Sequence, residues 1–194
     1  MASPEGIESI TNPDITRLAR KGGAKIIAEN VYDFARKIMR DYVGELIRGS
    51  VASMRYSGKK TLKPADLDTA LTLNHKVLLA GVGPSLDTCR SYKPTQGKSR
   101  SGQNALREIG YYQKHSDCLV VRKLPFDRLL REVSQQYEDI KQISKDFVLL
   151  SQLVTESFLV NIFKDAVLTA IHSGRQKITD NDIKLVLTIR RVPY

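Results

Sequence analysis

The sequence predicts an all-α fold in which two related halves of one chain pair with each other as an intramolecular pseudo-heterodimer. Two stretches, 30–57 and 145–173, keep apolar residues at helical spacing for about 27 residues, which corresponds to roughly 40 Å. Each stretch carries two apolar rows and is followed by a glycine, a short basic loop and a shorter helix. A unit of that size cannot bury both rows alone, so we expect each half to complete the core of the other.

The two stretches and the loops after them form an internal repeat that aligns without gaps. The alignment pairs Ser57 with Ser173, Gly58 with Gly174, Lys59 with Arg175, Leu62 with Ile178, Asp66 with Asp182 and Leu67 with Ile183. These matched positions predict the same order of elements in both halves: long helix, short basic loop, short helix.

The first half is predicted to contain a short, a long and another short helix. Asn12 is expected to cap the first helix, with Pro13 at its first position and Gly22-Gly23 at its end. The remaining predicted elements are a loop at Lys25 to Ala28, a long helix from about Asn30 to Ser57 and a short helix from Pro64 to Leu73.

Residues 76–104 are rich in Gly, Pro and Ser, which predicts a linker after a possible short strand at Val77 to Leu79. The second half is expected to open with an additional helix, Ala105 to about Lys114. The other predictions there are a helix from Lys123 to about Tyr137, a loop at Gln142 to Ser144, and caps at Ser144 and Asp180. The chain is therefore divided into a lead (1–10), a first unit (11–75), the linker (76–104) and a second unit (105–194).

The composition favours a polyanionic partner, because 31 Lys and Arg residues face 21 Asp and Glu residues and the net charge is +10. The two cysteines, Cys89 and Cys118, are expected to form no disulfide framework and to fit a reducing intracellular setting. The first residues lack the pattern of a signal peptide, and we expect no apolar run of membrane-spanning length. These features predict a soluble, non-secreted protein with no membrane partner.

Both halves contain strings of residues that fall in the register of one known family. In the first half these are Arg17 to Gly23, Val31-Tyr32, Lys60-Thr61 and Ala65-Asp66. In the second half they are Ala105 to Ile109, Tyr112 to Lys114, Arg122 to Phe126, Ala170 to His172 and Asp182-Ile183, with one extra residue near Val121. The first half resembles core histone four and the second resembles core histone three. This order resembles the histone doublets encoded by some large DNA viruses.

The resemblance implies two histone folds that embrace head to tail, so that the first loop of each lies beside the second loop of the other. It also implies a nucleosome-like particle in chromatin, in which duplex DNA is wrapped without regard to base sequence. Paired loops would place backbone N–H groups, helix N-termini and basic side chains against phosphates. The expected DNA-binding residues are Arg17, Arg20, Lys21, Lys25, Lys59, Lys60, Thr61, Arg107, Arg122, Lys123, Arg128, Arg131, Lys145, Arg175 and Lys177.

Two positions depart from the family, which places a minor-groove arginine in the first loop of each unit. This sequence has Ile26 and Gln142 there. Neither side chain can replace the charge that a narrow minor groove attracts. We therefore hypothesise that DNA is held less tightly than by cellular core histones, with Lys25 and Lys141 compensating in part. The lead contains no Lys or Arg, so the tail modifications of the family are not carried over.

The resemblance also implies contacts within and between proteins. Lys59 with Asp66, and Arg175 with Asp182, would form ion pairs that brace the second loop of each unit. Two copies of the chain would pair, as a tetramer equivalent, through Thr169, His172, Asp182, Leu185 and Ile189. A second histone pair or doublet resembling histones two-A and two-B, giving an octamer equivalent, would contact Ser53, Tyr56, Thr69, Val77, Leu78 and Leu79.

Enzyme, nucleotide and metal sites have weaker support in the sequence. Gly81-Val82-Gly83 is too short for a nucleotide-binding loop, and Pro84 follows where a helix should begin. His115 and Cys118 lack the second pair of ligands that a structural metal site needs. Because no nucleophile and base are arranged together either, we expect neither a cofactor nor enzyme activity.

The competing hypothesis is a histone-fold scaffold of a transcription-factor or chromatin-assembly complex with little DNA wrapping. Ile26 and Gln142 favour that hypothesis. The retained Lys60-Thr61, Arg122-Lys123 and Arg131 disfavour it. A steep salt dependence of duplex binding, with no preference for base sequence, would separate the two.

Overall fold

The computed structural model describes residues 9–73, 92–93, 102–115 and 118–192. Within these ranges the chain is predominantly helical, with seven helices and four two-residue strands. The elements in chain order are α1 (Asn12–Lys21), β1 (Ile26–Ile27), α2 (Asn30–Tyr56), β2 (Thr61–Leu62), α3 (Pro64–Leu73), α4 (Gln103–Lys114), α5 (Lys123–Ser134), β3 (Gln142–Ile143), α6 (Lys145–His172), β4 (Lys177–Ile178) and α7 (Asp180–Ile189). The expected strand at Val77 to Leu79 lies outside the described residues.

The two long helices end as the sequence predicts, each at a glycine with left-handed backbone geometry. Gly58 has φ 64° and Gly174 has φ 70°, a conformation that costs glycine little because it has no Cβ. The closing backbone bonds are equivalent: Lys59 N to Met54 O at 3.1 Å and Arg175 N to Ala170 O at 2.9 Å. The aligned positions therefore share one local geometry.

The caps of two short helices lie one residue before the expected positions, at Thr11 instead of Asn12 and at Thr179 instead of Asp180. The Asp182 carboxylate accepts hydrogen bonds from the backbone N–H and the hydroxyl of Thr179, each at 2.8 Å. Asp14 accepts the same two bonds from Thr11, at 3.1 and 2.7 Å. A capping box needs an acidic residue three positions after the threonine, and only the earlier cap meets that requirement. The Ser144 cap is confirmed, since its hydroxyl accepts from Phe147 N at 3.1 Å.

Two predicted loops contain short strands, and each strand pairs with a strand of the other half. β1 runs parallel to β4, with Ile26 opposite Lys177, and β2 runs parallel to β3, with Thr61 opposite Gln142. The expectation of plain loops at Lys25 to Ala28 and Gln142 to Ser144 was therefore wrong. A two-residue strand has no periodicity to detect, and its partner is distant in the sequence.

The helices of both halves enclose one cluster of buried apolar side chains. The first half contributes α1, α2 and α3, and the second contributes α5, α6 and α7. Between the halves, α6 contacts α1, α2 and α3, while α5 contacts α2. Tyr42 of α2 stacks on Phe158 of α6 with ring centroids 3.9 Å apart. These contacts hold the loops of the two halves next to one another.

The end of α5 differs from the sequence expectation. α5 ends at Ser134 rather than near Tyr137, and α4 begins at Gln103 rather than Ala105. The Ser134 hydroxyl donates to the carbonyl oxygen of Leu130 at 2.7 Å, a local bond typical of serine near the end of a helix. The apolar spacing continues past this point, which explains why the sequence suggested a longer helix.

α6 is long and apolar enough to cross a membrane by length and composition, with 28 residues and a mean hydropathy of 1.4 over its most apolar window. The expectation that no apolar run has this length was therefore wrong. Half of that window is buried inside the protein. α6 also carries Gln152, Thr155 and Glu156 as buried polar side chains. Burial against protein is the pattern of a core helix, which passes the same test.

Cys118 takes part in a disulfide bond, and no free cysteine is found in the described part of the chain. The expectation that the cysteines form no disulfide was therefore wrong for Cys118. Cys89 lies outside the described residues. Spacing alone could not predict the bond, because two cysteines in one chain carry no pattern that distinguishes bonded from free thiols.

Candidate nucleic-acid interface

The first candidate surface is the corner around the β1–β4 pair, which we call corner one and define by Lys25, Ile26, Arg175, Gln176 and Lys177. The backbone N–H of Ala28 donates to Ile178 O at 3.0 Å, which joins the two loops beside the start of α2. A groove of about 420 Å³ runs along the corner and is lined by Lys25 and Arg175 together with apolar residues near the end of α6. Corner one therefore brings cations from both halves together.

The second candidate surface is the corner around the β2–β3 pair, which we call corner two. It is defined by Lys59, Lys60, Thr61, Lys141, Gln142 and Lys145. The carbonyl oxygen of Lys60 accepts from the N–H groups of Lys141 and Gln142, at 3.0 and 3.3 Å. Thr61 is half-buried and the other five side chains are exposed. Corner two thus gathers four exposed lysines beside the N-termini of α3 and α6.

A third exposed basic region lies at the start of α5. Arg122 is the N-cap residue and Lys123 is the first helical residue, and both are exposed. All of α5 is described, and its first turn holds no acidic residue. The open N–H groups of such a helix end attract anions. Among the other predicted DNA-binding residues, Arg107 and Arg128 are also exposed.

The predicted cations of α1 contact protein partners instead of facing open solvent. Arg17 pairs with the buried carboxylate of Asp14 and is 13% exposed. Arg20 donates from Nε to Glu108 at 3.0 Å, and its Nη1 reaches two carbonyl oxygens in the loop after α1. Lys21 donates to the Cys118 carbonyl oxygen at 3.0 Å. These side chains join α1 to α4 and to the segment before α5.

Arg131 and Arg175 are exposed but form ion pairs. Arg131 Nε lies 2.8 Å from Asp127 one turn earlier, a hydrogen bond that raises the pKa of the guanidinium. Arg175 grips Asp182 with both terminal nitrogens, at 2.8 and 3.1 Å. Burial alone would raise the pKa of Asp182, but the bonds from Arg175 and Thr179 outweigh it and hold the pKa below its usual value. The expected ion pair of Arg175 is confirmed.

The prediction of an ion pair between Lys59 and Asp66 was wrong, since the described residues show no such contact. Asp66 is buried and accepts from the backbone N–H of Lys63 at 3.0 Å and from the Ser53 hydroxyl at 3.4 Å. These neutral donors occupy the carboxylate, so the flexible ammonium of Lys59 remains exposed at corner two.

The comparison with known protein families concerns the second half of the chain. Residues 101–189 match the core histone H2A/H2B/H3/H4 domain. The match supports a histone fold in this part of the molecule and suggests association with DNA, with other histones and with chromatin. Core histones are structural proteins and not enzymes. Residues 1–100 lie outside the match.

One end of the histone domain exposes an apolar surface, which we call the α6–α7 face. It consists of Leu168, Ile171, Leu185 and Ile189, which are between 50% and 69% exposed. Leu185 and Ile189 were expected in a self-pairing contact together with His172, which is exposed and follows Ile171 at the end of α6. The sequence reasoning missed Leu168 and Ile171, although their apolar side chains on consecutive turns were a usable signal.

Two residues of the expected self-pairing contact have partners within the chain. Asp182 is 4% exposed and is held by Arg175 and Thr179. The Thr169 hydroxyl donates to Ala166 O at 2.9 Å. Asp182 therefore supports α7 from inside, which separates it from the exposed members of the set.

The residues expected to meet a second histone pair lie near the ends of α2 and α3. Tyr56 is 97% exposed, and Thr69 is also exposed. Ser53 is half-buried and donates to Asp66. Val77, Leu78 and Leu79 lie outside the described residues. The exposure of the aromatic ring of Tyr56 makes this end available to a partner.

Within the described ranges, no group of three or more His, Cys, Asp and Glu side chains could hold a metal ion. The Nδ1 atom of His115 lies 2.8 Å from Tyr111 O, and the imidazole is tilted against the Tyr111 ring with centroids 4.4 Å apart. Cys118 is disulfide-bonded. Both residues that the sequence offered as ligands thus have other partners.

Proposed function

We propose that this protein is a core histone doublet that packages duplex DNA in nucleosome-like particles. In this proposal the histone-four-like unit (11–75) and the histone-three-like unit (105–194) form a handshake within one chain, joined by the linker (76–104). Support comes from the equivalent helix caps at Gly58 and Gly174 and from the strand pairs that join the first loop of each half to the second loop of the other.

The observation that carries the proposal is that both corners collect cations from the two halves. At corner one Lys25 precedes Ile26, which pairs with Lys177. At corner two the Lys60 carbonyl oxygen accepts from the N–H of Lys141. Phosphate contacts of this kind position DNA without reading its bases. The exposed residues expected to carry them are Lys59, Lys60, Arg107, Arg122, Lys123, Arg128, Lys145 and Lys177, with Lys25 and Thr61 at the strand pairs.

DNA binding in this proposal is weaker than that of cellular core histones. Ile26 and Gln142 are exposed in the first strand position of each corner. A minor groove that faces these positions would meet an apolar side chain and a neutral amide where an arginine would gain from its negative potential. Lys25 and Lys141 precede them and supply part of the missing charge.

The proposed assembly uses the α6–α7 face for pairing with a second copy and the Tyr56 end for a second histone pair resembling two-A and two-B. The exposed apolar side chains of Leu168, Ile171, Leu185 and Ile189 favour such pairing, because apolar patches of this kind mark interaction surfaces. The protein would then be located in chromatin. For a virus-encoded doublet this means the host nucleus, or a cytoplasmic viral factory and the virion.

The test is a plasmid supercoiling assay after relaxation by topoisomerase, with the protein alone and then with a two-A/two-B-like partner. Wrapping constrains negative supercoils, whereas simple electrostatic coating does not. A second measurement titrates salt against the binding of duplexes of unrelated sequence. We expect the binding constant to fall steeply with salt and to be the same for all sequences. Binding that constrains no supercoils under either condition would overturn the packaging proposal and favour the scaffold of a transcription-factor or chromatin-assembly complex.

A further inference from the structure

A buried carboxylate in the middle of α6 has no role in either corner. Glu156 is 3% exposed, and its two oxygens accept from the backbone N–H groups of Val120 at 2.8 Å and Val121 at 3.0 Å. Burial raises the pKa of Glu156 above its usual value, and the hydrogen bonds to the carboxylate offset only part of that rise. Because all the donors around it are N–H groups, the geometry fits an ionised carboxylate. A buried charge persists only where such bonds offset its desolvation.

Further polar contacts hold the same short segment, residues 118–121. Gln152, one turn before Glu156, donates to the Glu156 carboxylate at 2.9 Å and to Val121 O at 2.8 Å. From the other side, Lys21 of α1 donates to Cys118 O at 3.0 Å. The segment is therefore fixed between α1 and α6.

The residues that follow this segment are the exposed cations at the start of α5. Arg122 comes directly after Val121 and has extended backbone geometry, with φ −68° and ψ 139°. Lys123 then begins the helix. Two consecutive N–H groups held by one side chain restrict the backbone directly before Arg122. Glu156 is therefore placed to influence how α5 begins.

We propose that Glu156 is a positioning residue for DNA binding, which holds the 118–121 segment so that Arg122 and Lys123 face the phosphate backbone. This inference rests on the proposed function. Glu156 does not touch DNA and acts only through the two cations. The prediction that distinguishes this role is a weakening of DNA binding when a negative charge is removed from the protein.

The decisive variant is Glu156→Gln, which keeps the size of the side chain and removes its charge. The amide offers a single acceptor oxygen, and its NH₂ group would face a backbone N–H donor. General electrostatics predicts tighter DNA binding after the loss of a negative charge. Positioning predicts the opposite: roughly tenfold weaker binding near physiological salt, with the slope of log K against log salt reduced by about 1 to 2. Fluorescence anisotropy with a labelled duplex measures both.

The matched control is Asp146→Asn, which makes the same chemical change at an exposed position of the same helix. It should leave DNA binding unchanged or slightly tighter. The double variant Arg122→Gln/Lys123→Gln should reproduce the loss seen in E156Q. Adding E156Q to that double variant should cause no further loss, because the cations that Glu156 positions are already absent. A destabilised fold would instead weaken binding in both backgrounds.

Hydrogen exchange gives a readout that does not involve DNA. In E156Q, the amides of Val120 and Val121 should lose protection, while the amides of α2 keep theirs. If E156Q does not fold, Gln152→Met keeps the carboxylate and the approximate volume, and it should show the same changes to a smaller extent.

The outcomes separate this inference from the proposed function. Wild-type protein that fails to bind duplex DNA in a salt-dependent manner would overturn both. The positioning role alone would be overturned if the wild type binds DNA and E156Q loses protection at the Val120 and Val121 amides but keeps its affinity for DNA. Tighter binding by E156Q, equal to that of D146N, would do the same.

Discussion

The two loops that follow the long helices share a backbone but differ in their charges. In both loops a left-handed glycine ends the helix, and a buried aspartate, Asp66 or Asp182, stands eight residues after it in the next short helix. In the second loop Arg175 grips Asp182 with two nitrogens. In the first loop Asp66 is satisfied by a backbone N–H and a serine hydroxyl.

This difference teaches that a repeated backbone does not require repeated ion pairs. A capping aspartate needs donors, and either a guanidinium or neutral groups can supply them. Where neutral groups supply them, the lysine at the arginine position stays exposed. We therefore expect Arg175 to act mainly in stability and Lys59 mainly in DNA binding, although the alignment pairs them.

The largest expected effect comes from removing each aspartate. Asp182→Ala leaves the cap of Thr179 and the guanidinium of Arg175 without their partner, and it should lower the free energy of unfolding by about 3 kcal/mol. Asp66→Ala should cost about 1 to 2 kcal/mol, because its donors are neutral. Urea unfolding followed by circular dichroism measures both, with the exposed Asp68→Ala as control. Equal losses at the two sites would contradict the comparison.

The second effect concerns the first loops, where Ile26 and Gln142 occupy matching positions of the two corners. The double change Ile26→Arg/Gln142→Arg should raise the salt concentration at which DNA is released and tighten binding by roughly tenfold at fixed salt. Each single change should contribute about half of the gain in free energy if the corners are equivalent. Ile26→Gln serves as the uncharged control. An unchanged release point would exclude a groove-facing role for these positions.

A crossed pair of variants compares Lys59 with Arg175 directly. Lys59→Ala should reduce the salt slope by about 0.9 and the affinity about threefold, with no change in unfolding free energy. Arg175→Ala should lower the unfolding free energy, because Asp182 loses its charged partner, and should change the salt slope less. Anisotropy titrations measure DNA binding and urea unfolding measures stability, both on the same preparations. The division of roles is wrong if the two variants behave alike.

The ion pair between Asp182 and Arg175 should also make the stability of the protein depend on pH. The folded-state pKa of Asp182 lies below the unfolded value, so the carboxylate stabilises the fold above the unfolded pKa. That contribution is lost as the pH falls through the lower, folded-state pKa. The stability difference between wild type and Asp182→Asn should therefore be constant near neutral pH and shrink below about pH 4. A difference that grows in acid would contradict the assignment.

The smallest effect is expected from introducing the equivalent arginine–aspartate ion pair into the first loop. Lys59→Arg places a guanidinium at the position that matches Arg175 in the repeat, from which it could form a charge-assisted hydrogen bond with Asp66. We expect stabilisation of about 0.5 kcal/mol or less, because an exposed cation gains little from such a pair. Thermal unfolding measures the change in stability. Lys60→Arg serves as the control, because it makes the same substitution at the neighbouring residue, which does not match Arg175. A gain as large as the loss in R175A would mean that the two loops are interchangeable.

Much of the fold could be read from local chemistry. The apolar period of α2 and α6, the glycines at their ends and the Ser144 cap are properties of neighbouring residues, and the structure confirms them. The short strands could not be read in this way. Ile26 pairs with Lys177 only because the helices bring two distant loops together.

The candidate site divides along the same line. Clusters of basic residues in the loops are visible in the sequence, and Lys59, Lys60 and Lys177 are exposed as expected. Arg17, Arg20 and Lys21 look equally basic in the sequence, but their partners Asp14, Glu108 and Cys118 occupy them inside the protein. A cation is available to a ligand only if no internal acceptor reaches it first.

The sequence by itself determined the helices, the ends of the two long helices and the repeat, because propensity, capping and apolar spacing act over a few residues. The tertiary structure alone decided which charges are used internally and which remain exposed. It also placed the carboxylate of Glu156 against the N–H groups of Val120 and Val121, residues more than 30 positions away. Hydrogen bonds and burial depend on distances in space, and those distances exist only once the halves have packed.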